Sequence, residues 1–245
     1  SGLPYKAWLD GLEEDRQACK QKIYDFNQLP PSRQSKEAPQ MIKNILGKTG
    51  ESVWVEAPFH CDYGWNIEVG ENFYANYNLT ILDVGKVTLG KNVQIAPNVS
   101  IYTAGHPVHP DSRNSGYEYG IPVTIGDNVW IGGGSIILAG VTIGKGSVIG
   151  AGSVVTKSIP ENCLAVGNPC KVIRWLSPQY RLLPLEEKDI PEMQELFRST
   201  VLNVNIRHYT KEEVEDWASC GDSVEHLKEL LSHNHFIGAF DEASS

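Results

Sequence analysis

Aliphatic residues recur every six positions through the middle of the chain. They stand at Val69, Ala75 and Ile81, and resume after a two-residue insertion at Leu89, Ile95 and Ile101. They then run unbroken through Ile125, Ile131, Ile137, Ile143, Ile149 and Val155. A second aliphatic series sits two positions earlier, at Val87, Val93, Val99, Val123, Val129 and Val141. A period of six matches neither an amphipathic helix, at about 3.6 residues, nor a long flat strand, at about 2. It matches a short strand followed by a turn, repeated. Apolar positions two apart place both side chains on one face of each strand. The residues between, such as Gly126, Asn128 and Gly144, suit tight corners with unusual φ values. Three such edges close a triangular coil, and stacked coils pair as parallel strands about 4.8 Å apart. The pattern predicts a mainly β chain built as a parallel β-helix.

Other segments follow other rules. Residues 5–28 carry Trp8, Leu9, Leu12, Ile23, Tyr24 and Phe26 among many charges, which predicts a helix. The run Leu29-Pro30-Pro31-Ser32 ends it, and Pro39–Leu46 is expected to begin another. Ile159–Leu176 holds Pro160 and Pro169 and reads as an irregular exit from the coils. Beyond Leu182 the period of six is gone. Leu182–Leu185 reads as a short strand, Asp189 as the N-cap of a helix reaching about Val201, and Thr210 with Glu213 as a capping box. Ser223–Leu231 reads as a further helix and His235–Phe240 as a strand. The expected division is a helical segment over 1–50 that packs on the β-helix, coils over 51–181 with a loop at 107–122, and an appendage over 182–245.

Charge marks the same boundary. The chain has 245 residues with 30 acidic and 21 basic side chains, a formal net charge of −9. Residues 184–245 hold 14 acidic and 5 basic of these, so the remainder is balanced. Of 23 glycines, 21 precede residue 184. An acidic chain without basic runs is a poor partner for nucleic acid, which needs clustered Lys and Arg. No stretch approaches the roughly 20 apolar residues of a membrane span, and the opening residues lack the charged-then-apolar pattern of a signal peptide, so neither is expected. The five cysteines form no CxxC pair, so no metal site is expected and a cytoplasmic location is.

The coil words VTIGDN, VWIGGG, SIILAG, VTIGKG and SVIGAG, the phrase AGHPVHP, the run HCDYGWNIEVGENFYANYNLTILD and the ending VVTKSIPENCLAVGNPCKVIRWL together resemble the hexapeptide-repeat acyltransferases. More narrowly, they are similar to the maltose/galactoside O-acetyltransferase group, which includes nodulation-type enzymes. The resemblance covers roughly residues 5–176. It implies a left-handed parallel β-helix assembled as a homotrimer, with acetyl-CoA as cosubstrate and a sugar or glycoside hydroxyl as acceptor. The text from Leu182 resembles the opening of a GNAT-family acetyltransferase. It lacks that family's Gly-rich pyrophosphate loop, so no catalysis is assigned to it.

Candidate chemistry begins with His106, which sits where the repeat breaks. A neutral imidazole there can take the proton of an alcohol as its oxygen attacks a thioester, and His106 matches the family's catalytic histidine. Asn76 falls at a coil corner, where an amide N–H can donate to the developing oxyanion. The resemblance supports that role, with contacts to both donor and acceptor. Asn78 and Asn98 read instead as corners in left-handed φ. Asp62 matches a polar position facing the acceptor, and a carboxylate accepting two hydroxyl protons suits a sugar. The family's next acidic residue aligns with either Asp83 or Val84, and Asp83 is carried as a substrate-binding candidate. Its N-terminal acid falls on Ala7, with Asp10 the nearest carboxylate. Tyr74, Tyr117 and Tyr119 are candidate walls of the acceptor site. For the donor the resemblance points to Asn76, Trp130, Gly133, Ala151, Thr156, Lys157, Lys171 and Arg174. The last three cations would answer CoA phosphates, and small residues would let the pantetheine arm approach the backbone.

Two rivals share the scaffold. Metal-dependent carbonic anhydrases need three converging histidines, and His60, His106 and His109 do not match their spacing; His109 reads as structural. A non-catalytic trimeric scaffold that presents the C-terminal segment is the alternative function.

Overall fold

The period of six becomes a three-faced β-solenoid in the computed structural model, which describes residues 3–8, 11–176, 180–204 and 209–241. One face stacks Val53–Val55, Phe73–Ala75, Gln94–Ile95, Trp130–Ile131, Val148–Ile149, Cys163–Val166 and Lys171–Trp175. A second stacks Ile67–Val69, Val87–Leu89, Val123–Ile125 and Thr142–Ile143. The third stacks Phe59–Cys61, Leu79–Leu82, Ser100–Tyr102, Ile136–Ile137 and Val154–Val155. The chain visits the first, third and second faces in turn, and its coils pair in parallel. Trp130 pairs with Val148, eighteen positions on, which is three six-residue words per coil. Tyr74 pairs with Gln94 and Gln94 with Trp130, twenty and thirty-six positions apart. The two-residue insertion and the long loop thus lengthen single coils without changing which side chains point inward.

Both aliphatic series are buried along their whole length. Where the second series switches to Ser135, Ser147 and Ser153, the hydroxyls donate to the Gly150, Pro160 and Gly150 carbonyls, so no buried donor is left unpaired there. The corners use two residue types. Asn72, Asn78, Asn92, Asn98 and Asn128 all have φ between 56° and 62°. Their side chains stack into ladders: Asn72 donates to Asn92 at 3.0 Å, Asn92 to Asn128 at 2.9 Å and Asn78 to Asn98 at 3.0 Å. Gly126 and Gly144, expected at strained corners, have ordinary φ. They are glycine because a Cβ on Gly126 would lie 2.7 Å from the Lys145 nitrogen, and one on Gly144 would meet the Glu161 backbone.

Two helices, α1 (Leu12–Asn27) and α2 (Pro31–Ile45), cover the open first coils, burying Ile23, Phe26 and Ile42 against them. The expected helix over 5–28 therefore starts later. Gly11, at φ 78°, stops it, and Tyr5 makes an extended bridge to Glu118 instead. The second helix starts earlier than expected, at Pro31, because a proline in the first turn has no N–H to lose. The exit is also more regular than expected. Cys163–Val166 continues the first face, and Lys171–Trp175 folds back antiparallel on it around Gly167–Pro169. Pro160 and Pro169 lie outside both strands and break neither.

Asp83 is a fold residue, which corrects the expectation that it contacts the acceptor. It is fully buried. One oxygen accepts from the Asp62 and Tyr63 amides at 2.9 and 3.0 Å, and the other from Gly64 at 2.8 Å. Burial pushes its carboxyl above the usual range, and the backbone donors oppose that. What Asp83 holds is the turn that carries Asp62.

Residues 177–245 form a separate unit. Tyr180–Pro184 pairs antiparallel with Ile237–Asp241, and helices Ile190–Val204, Lys211–Ser219 and Val224–His233 lie between them in sequence. Thr210 and Glu213 form the expected capping box. Asp189 does not cap from outside the helix; it closes a box with Glu186 around a short 3-10 turn that feeds the helix.

Two substitutions test these constraints by thermal unfolding. Asn92→Ala should cost about 1 kcal/mol more than Asn92→Gly, since only glycine tolerates left-handed φ without strain. Asp83→Asn places an NH₂ group against backbone donors and should cost about 2–3 kcal/mol. That is a fall in Tm of roughly 5–10 °C.

Candidate active site

The repeat breaks because an antiparallel ribbon is inserted between the third and second faces. Ala104–Gly105 pairs with Tyr119–Gly120, in the register Gly105 to Tyr119 and Ala104 to Gly120. Gly105 must be glycine here, since a Cβ would collide with the Tyr119 ring. The Tyr119 ring packs on Gly105, and its hydroxyl donates to the His106 carbonyl at 3.5 Å. His106 leaves the end of this ribbon with its ring 57% exposed, and its Nε2 lies 3.8 Å from a Glu118 carboxylate oxygen. A short helix, Pro110–Asn114, closes the loop. His109 stands at its start, exposed and 3.9 Å from Asp111.

The N-terminal segment seals the other side of the ribbon. Tyr5 and Glu118 exchange backbone hydrogen bonds at 2.9 and 3.0 Å. Trp8 packs on Gly116, and the Lys6 ammonium lies 5.1 Å above the Tyr117 ring. Arg16, from α1, donates to the Tyr63 hydroxyl at 2.8 Å. Burial and the neighbouring Asp83 push the Asp62 carboxyl up, against Arg16 and Lys20. Asp62 also lines an open cleft of about 670 Å³ between α1 and the coils, with Lys20, Tyr24, Asn27 and His60. His106, Glu118, Tyr5, Arg16, Tyr63 and Asp62 therefore share one neighbourhood. Of these, sequence reasoning singled out only His106 and Asp62 as site residues. Ala7 lies beside the Trp8 anchor, and Asp10 lies outside the described residues.

Asn76 occupies a different edge. It follows the first-face strand Phe73–Ala75, at the corner leading to the third face. Its φ is not left-handed, unlike those of Asn78 and Asn98, at 62° and 60°. Its Oδ1 accepts from the Tyr77 amide at 2.7 Å, which fixes the side chain. Its Nδ2 has no hydrogen-bond partner among the described residues. The same edge carries Gly133 and Ala151, opposed by the register that pairs Ile131 with Ile149. The adjoining first face carries Tyr74 and Trp130, both exposed, and Lys171 and Arg174 on its last strand. Thr156 and Lys157 follow Val154–Val155 and share the edge after the third face, the one His106 occupies. The expected site residues thus fall on two edges of one prism.

Among the described residues, no three His, Cys, Asp or Glu side chains stand close enough to hold a metal ion. None of the helices among them is long and apolar enough to cross a membrane.

Two family models match the chain: a maltose acetyltransferase hexapeptide capping motif over residues 1–50, and a bacterial transferase hexapeptide of six repeats over 122–157. The galactoside O-acetyltransferase of Escherichia coli K12 is 53% identical over 177 residues, covering 72% of this chain and 87% of that one. A galactoside acetyltransferase solved in complex with coenzyme A superposes with a TM-score of 0.70 at 47% identity, over 77% of this chain and 89% of its own. A maltose O-acetyltransferase from Clostridium difficile 630 superposes with a TM-score of 0.70 at 52% identity, over 72% and 94%. The helical cap, the six-residue coils and these likenesses agree, and the chain belongs to the hexapeptide-repeat acetyltransferases, in the group of the galactoside and maltose O-acetyltransferases.

Proposed function

We propose that the protein moves an acetyl group from acetyl-CoA to a hydroxyl of a sugar or glycoside, directly and without an acyl-enzyme. The relatives named above, acetyltransferases of galactosides and maltose and one of them bound to coenzyme A, support the donor and the acceptor class. The observation that carries the mechanism is a solvent-open imidazole held on a rigid ribbon, 3.8 Å from a Glu118 carboxylate that lies within electrostatic reach of Asp62. In this reading Asp62 accepts from acceptor hydroxyls while His106 takes the proton of the attacking one. The freed oxygen bonds to the thioester carbon, and negative charge on the carbonyl oxygen meets the Asn76 amide. The C–S bond then breaks, and the CoA sulfur takes the proton back from the imidazolium. Trp130, Gly133 and Ala151 would line the pantetheine arm, with Lys157, Lys171 and Arg174 answering the phosphates.

The same reading has the chain assemble as a homotrimer. Its support is the separation of Asn76 and His106 onto two edges of one prism, which suits a site completed across neighbouring chains. Five cysteines, all present as free thiols, suit a reducing compartment such as the cytoplasm. For residues 182–245, the strand, three helices and returning strand support the likeness to a GNAT opening, with no catalytic part assigned.

Mixed assembly tests both ideas together. His106→Ala should lose roughly 10²–10⁴-fold in kcat while retaining acetyl-CoA binding, and Asn76→Ala should lose a similar factor. Refolded as mixtures, they should regain part of the wild-type rate, because some shared sites then receive both residues. Full activity in His106→Ala would remove the imidazole from the mechanism. Absence of rescue in verified mixed trimers would place both residues in one chain's site.

A further inference from the structure

We propose that Cys19 and Cys61 form a buried dithiol that a peroxide closes to a disulfide, locking α1 onto the first coils. The two sulfurs lie 3.7 Å from each other across 42 positions of sequence, one on the cap helix and one at the end of the strand Phe59–Cys61. Two polar ties hold these elements in that register. Near the start of α1, Arg16 donates to the Tyr63 hydroxyl at 2.8 Å. At its end, the Asn27 amide donates to the Phe59 carbonyl and accepts from the Phe59 N–H, at 2.9 Å each. Cys19 lies between the ties on one side and Cys61 between them on the other, so the thiols meet across a fixed seam. Bond formation brings the sulfurs to about 2.05 Å, which side-chain rotation and a small settling of the helix supply.

A buried cysteine ordinarily packs as a small apolar side chain. This pair differs in chemistry and in access. With the Cys61 thiol donating to it, and Lys22 nearby, the Cys19 sulfur loses its proton more readily than an ordinary cysteine; burial, Asp83 and Asp62 oppose the effect without cancelling it. The same hydrogen bond, burial and Asp83 keep Cys61 protonated. One member is thus the nucleophile and the other the proton carrier. Cys61 lines the open cleft of about 670 Å³ between α1 and the coils, which gives a small reagent a way in. Cys19 and Cys61 are themselves only 3% and 7% exposed, which favours an oxidant as small as hydrogen peroxide. The Cys19 thiolate attacks one peroxide oxygen: an S–O bond forms, the O–O bond breaks, and the departing hydroxide takes the Cys61 proton to become water. The Cys61 sulfur then bonds to the Cys19 sulfur, the S–O bond breaks, and the oxygen leaves as hydroxide, which recovers the proton that Cys19 shed. Two thiols and one peroxide give one disulfide and two waters, each sulfur losing one electron. Small thiols reverse the step by exchange.

Peptide mapping of the full-length protein tests this without any acetyl acceptor. After treatment with a small excess of hydrogen peroxide, denaturation and alkylation, mass spectrometry should find the Cys19 and Cys61 peptides joined, two hydrogens lighter, and separated again by dithiothreitol. The crosslink closes a loop of 42 positions in the unfolded chain, so the oxidised protein should melt roughly 4 °C or more above the reduced one. Peroxide should not raise the Tm of Cys61→Ser, whose Cys19 should instead be trapped by dimedone as a sulfenic acid. Recovery of both cysteines as alkylated thiols while the exposed Cys220 has been oxidised would overturn the proposal. So would their conversion to sulfinic acids with no crosslink. A crosslinked protein that melts no higher than the reduced one would overturn the lock.

Discussion

Everything in residues 1–176 depends on the stacking of one coil's backbone on the next. Parallel pairing fixes the spacing and register of successive coils, and register then decides which side chain at every sixth position enters the core. Because each strand sends only two side chains inward, the core has little slack. Isoleucine or valine fills it, serine is admitted only with a carbonyl to meet it, and the corners must return the chain to phase within two or three residues. The Asn92 ladder and the glycines packed against the next coil both answer that demand.

A scaffold this rigid lets a long insertion be harmless to the fold and useful to the site. The residues between Tyr102 and Val123 leave the third face, form a ribbon of their own and rejoin the second face in phase. His106 and Glu118 sit on opposite strands of that ribbon, so their separation is set by a ladder rather than by a free loop. Asp83 acts in the same spirit one coil away. Its buried carboxylate spends both oxygens on backbone amides so that the next turn can present Asp62.

Much of this was legible in the sequence because period six is a direct image of coil geometry. Ile125 through Val155 named the core, and Asn78 and Asn98 named left-handed corners. The chemistry-bearing residues were legible only where a motif marked them, as the GHPV turn marks His106. Glu118 carried no such mark. Its place beside His106 comes from ribbon register and from a bridge to Tyr5, more than a hundred residues away in the chain, and Tyr5 itself was hidden inside a segment whose apolar spacing suggested helix. Asp83 misled for a related reason: an acid two residues after a core isoleucine looks available, and only the three amides converging on it show that its oxygens are already taken. Prolines misled in the opposite sense, since Pro31 starts a helix and Pro160 and Pro169 border strands without ending the solenoid.

The central claim is that the solenoid with its ribbon is a hydroxyl acetylase. Its most direct measurement is free-thiol release from acetyl-CoA by the purified full-length protein, with and without simple galactosides, glucosides and maltose, and with the product examined by NMR. The account predicts thiol release that rises with at least one of these sugars, in step with formation of an acetyl ester on a sugar oxygen. Release that is indifferent to every hydroxyl acceptor, or an acetyl group found on nitrogen or retained on the protein, would contradict it.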